Sequence, residues 1–249
     1  MEYICKEIEK MNTVKIDKKE VKLVAHRGLS GIESENTASA FVAAGNRSYY
    51  GIETDIYRTK DGRFAISHDP SLMRMAGREM NIEEHTLAEL QSVTLLDKSG
   101  TKCRPDLIVP TLENYLLICK KYEKQAVLEL KSAFTDEEIA SIIGIVDSFA
   151  YLPKTTFISF KYDNLKKIRA ILPNHSAQFL FGEFTDEITE NLLRDRIDVD
   201  VRHTALSKEI IDKFHEAGLL VNCWTVDNKQ RAEELISWGV DLITTNILE

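Results

Sequence analysis

The strongest constraint on the fold is a regular alternation of helical and extended segments that begins near residue 110 and continues along the rest of the chain. Each unit joins a segment with apolar residues three and four apart to a short run rich in β-branched and aromatic residues, the patterns of an amphipathic helix and a buried strand. Strands that are separated by helices pair in parallel, because a tight turn can join only antiparallel neighbours. The predicted helices span 111–123, 136–149, 163–171, 186–194, 207–216 and 228–238, and they lead to strands at 126–131, 155–160, 177–182, 197–201, 219–226 and 240–245.

Two apolar segments before residue 110 bring the number of parallel strands to eight. One is the run 21–25, which leads directly into His26, and the other begins at Gly51. Eight parallel strands close into a barrel. A chain of 249 residues with 43% hydrophobic side chains is long enough for one such barrel or for two small domains. The strand count favours a single α/β domain over residues 1–249, a TIM (β/α)8 barrel.

Two segments lie outside this repeat. Residues 70–110 contain short helical pieces joined by polar connections, and a connection of this length in a compact domain is more often a functional insertion than a structureless loop. We therefore expect a small inserted subdomain over the site, after the hairpin that follows the second strand. At the start of the chain, the spacing of Ile4, Ile8 and Met11 predicts a short amphipathic helix ahead of the first strand.

Within the stretch 51–69, the sequence predicts a β-hairpin. The Asp-Gly pair at 61–62 suits a two-residue turn, in which both central positions have positive φ. That turn would pair Lys60 with Arg63 and, counting back in register, would place Asp55 opposite His68. The hairpin is thus expected to bring an imidazole to an acidic strand.

Three carboxylates form a candidate metal site. Glu53 and Asp55 are two residues apart and share one face of the second strand, and Glu129 lies on another barrel strand. Burying an ionised carboxylate without a partner costs several kcal/mol, which a bound cation would offset. An all-oxygen ligand set suits one divalent cation, Ca²⁺ or Mg²⁺, and these residues do not distinguish the two. The alternative is that one or two of these carboxylates merely pair with Arg27 and Lys131.

Two histidines are candidates for proton transfer. His26 follows the first strand and His68 the hairpin, so both would flank the same opening. An imidazole titrates near neutral pH, so one neutral and one protonated histidine can act as base and acid. Beside His26, the fork of Arg27 suits a phosphate group and Gly28 allows a close approach of the backbone. The other histidines in this region and beyond are interpreted as ordinary polar residues: His85, His175, His203 and His215.

The overall charge excludes some partners. The formal charge of −8 and the pI near 5.4 argue against nucleic acid, which proteins hold mainly through clustered lysine and arginine. They also argue against attraction to an anionic membrane surface. The first twenty residues have no apolar run long enough for a signal peptide or a membrane span, so no membrane insertion and a cytoplasmic location are expected. The oligomeric state is left open.

The cysteines point to neither a metal site nor a disulfide framework. Cys5, Cys103, Cys119 and Cys223 lie far apart and include no CxxC pair. We expect free and mostly buried thiols.

Eight short motifs follow one another between Val21 and Asn246: HRG at 26–28, ENT at 35–37, AF at 40–41, IETD at 52–55, TKDG at 59–62, SHD at 67–69, LELK at 128–131 and WTVDN at 224–228. As a set and in this order they resemble the glycerophosphodiester phosphodiesterase family. The resemblance implies a TIM barrel with an insertion after the HD segment. It also implies that Glu53, Asp55 and Glu129 are metal ligands, that His26 and His68 are an acid–base pair, that Arg27 and Lys131 contact phosphate, and that Trp224 packs against the glycerol moiety.

The chain departs from the family pattern at two positions. Ser34 stands where proline is usual before ENT, which affects the stiffness of the loop at most. The last strand ends in ITTN instead of ITTD, so that Asn246 could alter the floor of the pocket.

The resemblance implies metal-dependent hydrolysis of a glycerophosphodiester to sn-glycerol 3-phosphate and an alcohol. One alternative is a phospholipase D acting on lysophospholipids or sphingolipids, whose acyl chain could lie along the apolar residues of the insertion, Leu72, Met73, Met75 and Met80. Another is a barrel that binds a phosphodiester without catalysis.

Overall fold

The computed structural model describes residues 12–249. The helix predicted at Ile4, Ile8 and Met11 lies outside the described residues.

The described part of the chain contains nine strands: β1 (Lys22–Ala25), β2 (Gly51–Arg58), β3 (Phe64–Ile66), β4 (Gln125–Leu130), β5 (Thr155–Ser159), β6 (Ala177–Phe181), β7 (Asp198–Arg202), β8 (Val221–Trp224) and β9 (Leu242–Thr245). Eight of them form a closed parallel barrel, which confirms the predicted TIM barrel. The barrel closes where β1 pairs in parallel with β2 on one side and with β9 on the other. The remaining strand, β3, pairs antiparallel with β2 outside the ring.

Helices alternate with the strands around the barrel. After residue 110, every predicted helix and strand is present with its ends within two residues of the expected positions. The α-helices of the described chain are α1 (Ala38–Gly45), α2 (Met73–Ala76), α3 (Leu87–Gln91), α4 (Leu112–Lys121), α5 (Asp136–Ser148), α6 (Tyr162–Ile171), α7 (Asp186–Asp195), α8 (Lys208–Glu216) and α9 (Lys229–Trp238), and short 3₁₀ turns span Ile82–Glu84, Leu152–Lys154 and His203–Ala205.

Side-chain hydroxyls and amides fix the starts of most barrel helices. At the start of α1, the Thr37 hydroxyl accepts a hydrogen bond from the Ala40 N–H. At α4 and α5 a threonine cap is completed by the side chain three residues later, which satisfies two backbone N–H groups that the helix itself leaves unpaired. These caps set where each helix begins against the sheet.

Alternation along each strand separates two apolar layers. Odd and even positions of a strand face opposite sides, so Ile52 and Leu128 pack outward against the helices. The inward-facing apolar residues form a small separate cluster inside the barrel: Val24, Val127, Ile158, Leu180 and Leu242. Polar residues that share this inward face near the carboxyl ends of the strands therefore lie at the barrel mouth.

The hairpin forms, but its predicted register is wrong by one residue. Tyr57 lies opposite Ala65, and the Ser67 N–H donates to the Asp55 carbonyl at 3.1 Å. Asp55 therefore lies opposite Ser67 instead of His68.

The reason for the shift is a three-residue loop between Thr59 and Arg63. The Thr59 N–H donates to the Arg63 carbonyl at 2.8 Å, and Gly62 adopts φ +76°. The Thr59 hydroxyl accepts from the Arg63 N–H and donates to the Asp61 carboxylate, which favours a type I turn followed by a left-handed glycine.

Residues 70–110 have an apolar cluster of their own. Its buried residues from this segment are Leu72, Ala76, Ile82, Leu87, Leu90, Val93, Leu95, Leu107 and Val109, and they pack against Tyr57 and Ala65 of the hairpin. That this segment is a separate inserted subdomain stays a prediction.

The described cysteines carry free thiols. Cys119 and Cys223 are buried and Cys103 is exposed, which confirms the prediction for these three. Cys5 lies outside the described residues.

Within residues 12–249, every helix is too short or too polar to cross a lipid bilayer.

Gly28 is a point of close approach between the β1–α1 loop and α1. Its φ is +73°, and a Cβ placed there would lie 2.7 Å from the Ala40 carbonyl carbon. We expect Gly28→Ala to lower the free energy of unfolding by about 2–4 kcal/mol, through overpacking and a left-handed backbone. Urea denaturation measures this change.

Gly144 provides the control, because it lies within α5 and a Cβ added there would have nothing within 4 Å. Gly144→Ala should raise the free energy of unfolding by about 0.5–1 kcal/mol. Equal effects of the two alanines would contradict the close-packing account of Gly28.

Candidate active site

A pocket of about 130 Å³ opens at the carboxyl ends of the barrel strands. This is the end at which TIM-barrel enzymes carry their active sites. All eight barrel strands, or the residues just after them, contribute to its wall, together with the residue that follows the hairpin. The pocket is lined by His26, Arg27, Glu53, His68, Glu129, Ile158, Phe160, Leu180, Asp200, Trp224, Thr225 and Thr244.

The structure brings all eight predicted site residues to this end of the barrel. Six of them line the pocket directly: His26, Arg27, Glu53, His68, Glu129 and Trp224. Asp55 and Lys131 lie behind this surface, where Asp55 is only 1% exposed and the Lys131 ammonium contacts two carboxylates. His68 reaches the pocket despite the shifted register, because β3 ends at Ile66 and the chain then leaves the strand direction.

The three acidic residues converge as predicted. One carboxylate oxygen from each of Glu53, Asp55 and Glu129 lies within 4.8 Å of the other two. All three side chains are buried, since they point from neighbouring strands toward the barrel interior. The carboxylates of Asp55 and Glu129 lie close together because these two residues are direct neighbours in the register of β2 and β4.

Basic side chains compensate this cluster incompletely. The Lys131 Nζ lies 3.3 Å from Asp55 Oδ1 and 3.0 Å from Glu129 Oε1, and the Arg27 Nε lies 3.7 Å from Asp55 Oδ2. The pairing considered as an alternative is therefore present. It supplies two cations for three buried carboxylates, and Arg27 is shared with Glu35, whose Oε1 accepts from Arg27 Nη1 at 2.8 Å.

The pKa shifts follow from this imbalance. Burial, followed by the charge of Asp55, raises the pKa of Glu129 to about 8. Burial, followed by the charges of Asp55 and Glu129, raises the pKa of Glu53 well above its usual range. Burial alone would raise the pKa of Asp55 too, but the charges of Lys131 and Arg27 outweigh it and hold that pKa below its usual value. The cluster is thus short of positive charge.

The residues fit a divalent cation. Asp55 Oδ1 is buried and accepts no hydrogen bond from the described residues, although the Lys131 ammonium is nearby. Together with Glu53 and Glu129 it offers an all-oxygen ligand set, which suits Mg²⁺ or Ca²⁺ better than zinc or copper. A bound cation would supply the missing charge.

The hydrogen bonds around His26 determine its tautomer. Asn246 Nδ2 donates to the Asp227 carboxylate at 2.6 Å, so Asn246 Oδ1 is the atom that faces His26 Nδ1 at 2.8 Å. An amide oxygen only accepts, so Nδ1 carries the proton and Nε2 is left as an acceptor. Burial, followed by the charge of Arg27, lowers the pKa of His26 to about 4, which keeps the ring neutral.

His68 has a different partner. Its Nδ1 lies 2.7 Å from the Asp69 carboxylate, which in turn accepts from the Arg74 Nε at 2.6 Å. An ionised carboxylate only accepts, so Nδ1 of His68 also carries a proton. Burial lowers the pKa of His68, whereas the charge of Asp55 and the bond to Asp69 oppose that shift.

The backbone of the HRG segment is held in an uncommon conformation. Arg27 and Gly28 both have positive φ, of 54° and 73°. This turns the Arg27 N–H toward Glu53, whose Oε2 accepts it at 2.8 Å. The kink thereby ties the loop that carries His26 to the carboxylate cluster.

The sequence alone assigns no role to several residues of the site. Asn246 stands out there only as a departure from the ITTD pattern, and Asp69 only as part of the SHD motif. Phe160 packs edge-on against Trp224, with ring centroids 5.6 Å apart, and Asp200 lies in the pocket wall next to them. Neither Phe160 nor Asp200 belongs to a recognisable motif, so only their spatial position reveals them.

A parallel barrel with paired imidazoles, a carboxylate cluster and an arginine at its mouth has the architecture of an acid–base hydrolase. The model of the glycerophosphoryl diester phosphodiesterase family matches residues 26–249, and the chain belongs to this family. The predicted family, fold and enzyme class are thereby confirmed.

Individual relatives agree with this membership. The Bacillus subtilis protein YhdW is 29% identical over 234 residues, which cover 90% of this chain and 93% of that protein. A glycerophosphodiester phosphodiesterase of Bacillus subtilis is 28% identical over 244 residues, which cover 90% of this chain and 82% of the relative. The structure of an Oleispira antarctica phosphodiesterase in complex with the product sn-glycerol-3-phosphate has a TM-score of 0.82 at 23% identity and covers 90% of this chain and 92% of that one. This last likeness shows the shared fold.

The carboxylate cluster makes a prediction about cation binding. We expect the metal-free protein to bind one Mg²⁺ or Ca²⁺ per chain, and Glu129→Gln to weaken that binding by about tenfold or more, because a charged ligand is lost. Isothermal titration calorimetry with each chloride salt measures both affinities without recourse to activity. Glu113→Gln is the matched control, since Glu113 binds Arg63 outside the pocket. Equal affinities of the Glu129 variant and the original protein would show that Glu129 is structural.

Proposed function

We propose that the protein is a metal-dependent glycerophosphodiester phosphodiesterase, which hydrolyses glycerophosphodiesters to sn-glycerol 3-phosphate and an alcohol. The observation that carries the proposal is the meeting of two differently bonded imidazoles with the carboxylate cluster in one pocket. The product seen in the Oleispira antarctica enzyme supports the same substrate class. A bound divalent cation would polarise the phosphate and lower the pKa of the attacking hydroxyl.

His26 is proposed as the general base. Asn246 fixes the proton on Nδ1, so Nε2 is the nitrogen that can take a proton from the nucleophile. By the family resemblance, that nucleophile is the glycerol hydroxyl next to the phosphoester, which gives a cyclic phosphate that water then opens. The neutral state of the His26 ring is the state that a base requires.

His68 is proposed as the general acid. Its partner is the Asp69 carboxylate, whose negative charge stabilises the imidazolium form more than the neutral amide of Asn246 does at His26. Protonation of the leaving alkoxide would come from Nε2, because Nδ1 is engaged with Asp69. The two rings thus take opposite roles because their partners differ in charge.

Two basic residues are proposed to contact the phosphate. Arg27 lines the pocket, and its buried Nε–H has no hydrogen-bond acceptor among the described residues. Such a donor is available to a phosphate oxygen. The Lys131 ammonium, bonded to Glu129 and close to Asp55, would share its charge between the cluster and the substrate.

The packing of the insertion disfavours the phospholipase D alternative. Leu72 is buried, and Met75 and Met80 are partly buried against the cluster that contains it. The cavity that Leu72 and Met75 line has a volume of about 10 Å³, which is too small for an acyl chain. Met73 is half exposed. A pocket of about 130 Å³ also matches a small polar substrate better than an acyl chain.

A cytoplasmic location stays a prediction.

Turnover of glycerophosphocholine tests the proposal directly. We expect release of sn-glycerol 3-phosphate that stops when a chelator is added and returns with Mg²⁺ or Ca²⁺. His26→Ala and His68→Ala should each lower kcat by about 100-fold or more, because each removes a proton-transfer group. His215→Ala is the matched control, since His215 forms a similar 2.8 Å pair with Asp241 outside the pocket.

Other outcomes of this assay favour the alternatives. Activity on lysophospholipids alone would favour a phospholipase D. Absence of turnover on both substrates, with metal present, would favour a binding barrel.

The tautomer of His26 gives a separate prediction. Asn246→Ala removes the acceptor that holds the Nδ1 proton, so we expect kcat to fall about 10- to 100-fold while KM changes little. Nitrogen-15 NMR of the His26 ring should show the Nδ1-protonated tautomer in the original protein and a mixture of tautomers in the variant. An unchanged kcat would remove Asn246 from the positioning of the base.

A further inference from the structure

We propose that Asp200 binds the terminal hydroxyl of the substrate's glycerol and so selects substrates in which this hydroxyl is free. This inference rests on the proposed function and extends it to substrate specificity. Asp200 lies on β7, on the opposite side of the barrel from the carboxylate cluster in strand order.

The carboxyl of Asp200 has an unused hydrogen-bonding atom. Its side chain is only 1% exposed and contributes to the pocket wall. Asp200 Oδ1 has no hydrogen-bond partner among residues 12–249. A buried polar atom without a partner is rare in native proteins and marks a place where a ligand can supply one.

The polar residues on the strands around Asp200 bond mainly to one another, and the Asn222 side chain also interacts with the Asp200 carboxyl. Asn222 Nδ2 donates to Gln178 Oε1 at 3.2 Å, and the Thr244 hydroxyl donates to Asn222 Oδ1 at 3.3 Å. These bonds link inward-facing residues of β6, β8 and β9. The free oxygen of Asp200 is therefore left for a group that enters from the mouth.

The surroundings of Asp200 indicate a neutral ligand group. The neighbouring pocket wall is apolar and aromatic, formed by Ile158, Leu180 and Trp224. Among the described residues no basic side chain forms a salt bridge with Asp200, and the charged residue that acts on it most strongly is Glu129, of the same sign. A hydroxyl suits this position in either protonation state, because a carboxylate accepts its proton and a carboxylic acid can donate to its oxygen.

The proposed chemistry leaves one hydroxyl of glycerol to be recognised. The phosphoester and the hydroxyl next to it lie at the histidines and the carboxylate cluster during the reaction. The terminal hydroxyl would then point toward the side of the pocket that Trp224, Leu180 and Asp200 line. An acyl ester or a missing hydroxyl at this position would leave the buried oxygen unpaired, and sites of this kind reject such analogues strongly.

Two substrates that differ in one hydroxyl test the inference. One is glycerophosphocholine, and the other is the phosphocholine ester of propane-1,2-diol, which keeps the hydroxyl next to the phosphoester but lacks the terminal one. We expect the original enzyme to prefer glycerophosphocholine by about 10- to 100-fold in kcat/KM. In Asp200→Leu this ratio should fall to about one to three, and in Asp200→Asn it should be intermediate, because an amide still bonds a hydroxyl.

Asp198→Asn is the matched control. Asp198 lies on the same strand, two residues toward its amino end, and its carboxylate accepts the Leu220 N–H at 2.9 Å outside the pocket. Its variant should keep the substrate ratio of the original enzyme. Thermal unfolding of each variant confirms that the ratios are compared between folded proteins.

The outcomes separate this inference from the proposed function. A substrate ratio near one in the original enzyme, or an equal loss on both substrates in Asp200→Leu, would overturn the role of Asp200, since both substrates carry the same head group. If the original protein hydrolyses neither substrate, the proposed function fails instead. In that case, calorimetry compares the binding of sn-glycerol 3-phosphate with that of propane-1,2-diol phosphate. The proposed role of Asp200 requires that the original protein binds sn-glycerol 3-phosphate more tightly and that this difference is lost in Asp200→Leu.

Discussion

Three buried carboxylates at the mouth of the barrel repel one another, and the residues around them partly compensate this negative charge. Lys131 and Arg27 supply two positive charges, and the Arg27 N–H turns toward Glu53 through a left-handed backbone. The raised pKa values of Glu53 and Glu129 show that this compensation is incomplete. A buried cluster of this kind is stabilised either by protonation of part of it or by a bound cation. A bound cation would also serve the proposed phosphodiester chemistry.

The two imidazoles at the barrel mouth differ in their hydrogen-bond partners. An amide holds His26 and a carboxylate holds His68, although both rings use Nδ1 for the contact. The Asn246 amide is itself held by Asp227, which accepts a hydrogen bond from Asn246 Nδ2. This bond leaves the amide oxygen facing His26. In the proposed mechanism, the roles of acid and base would therefore be set by the residues behind the histidines, which come from the loops after β3, β8 and β9.

Much of the fold could be read from local patterns. Alternation along a strand separates inward from outward residues, so Glu53, Asp55 and Glu129 were expected on the interior face, and they are. The hairpin register could not be read in this way, because Asp-Gly fits both a two-residue turn and the left-handed position of a three-residue loop. The side chain of Thr59 decided between them, and the difference moved Asp55 from His68 to Ser67.

The sequence by itself determined the eight parallel strands, the family and the groups capable of chemistry, since periodicity and motifs are local properties of the chain. Only the tertiary structure decided which partner each group has. Asn246 lies 220 positions from His26 in the sequence and within hydrogen-bond distance in the barrel. Asp200 belongs to no motif, and its free oxygen is recognisable only once the neighbouring strands have used the other polar groups around it. Closure of the barrel creates these relations, because it brings the ends of distant strands to one opening.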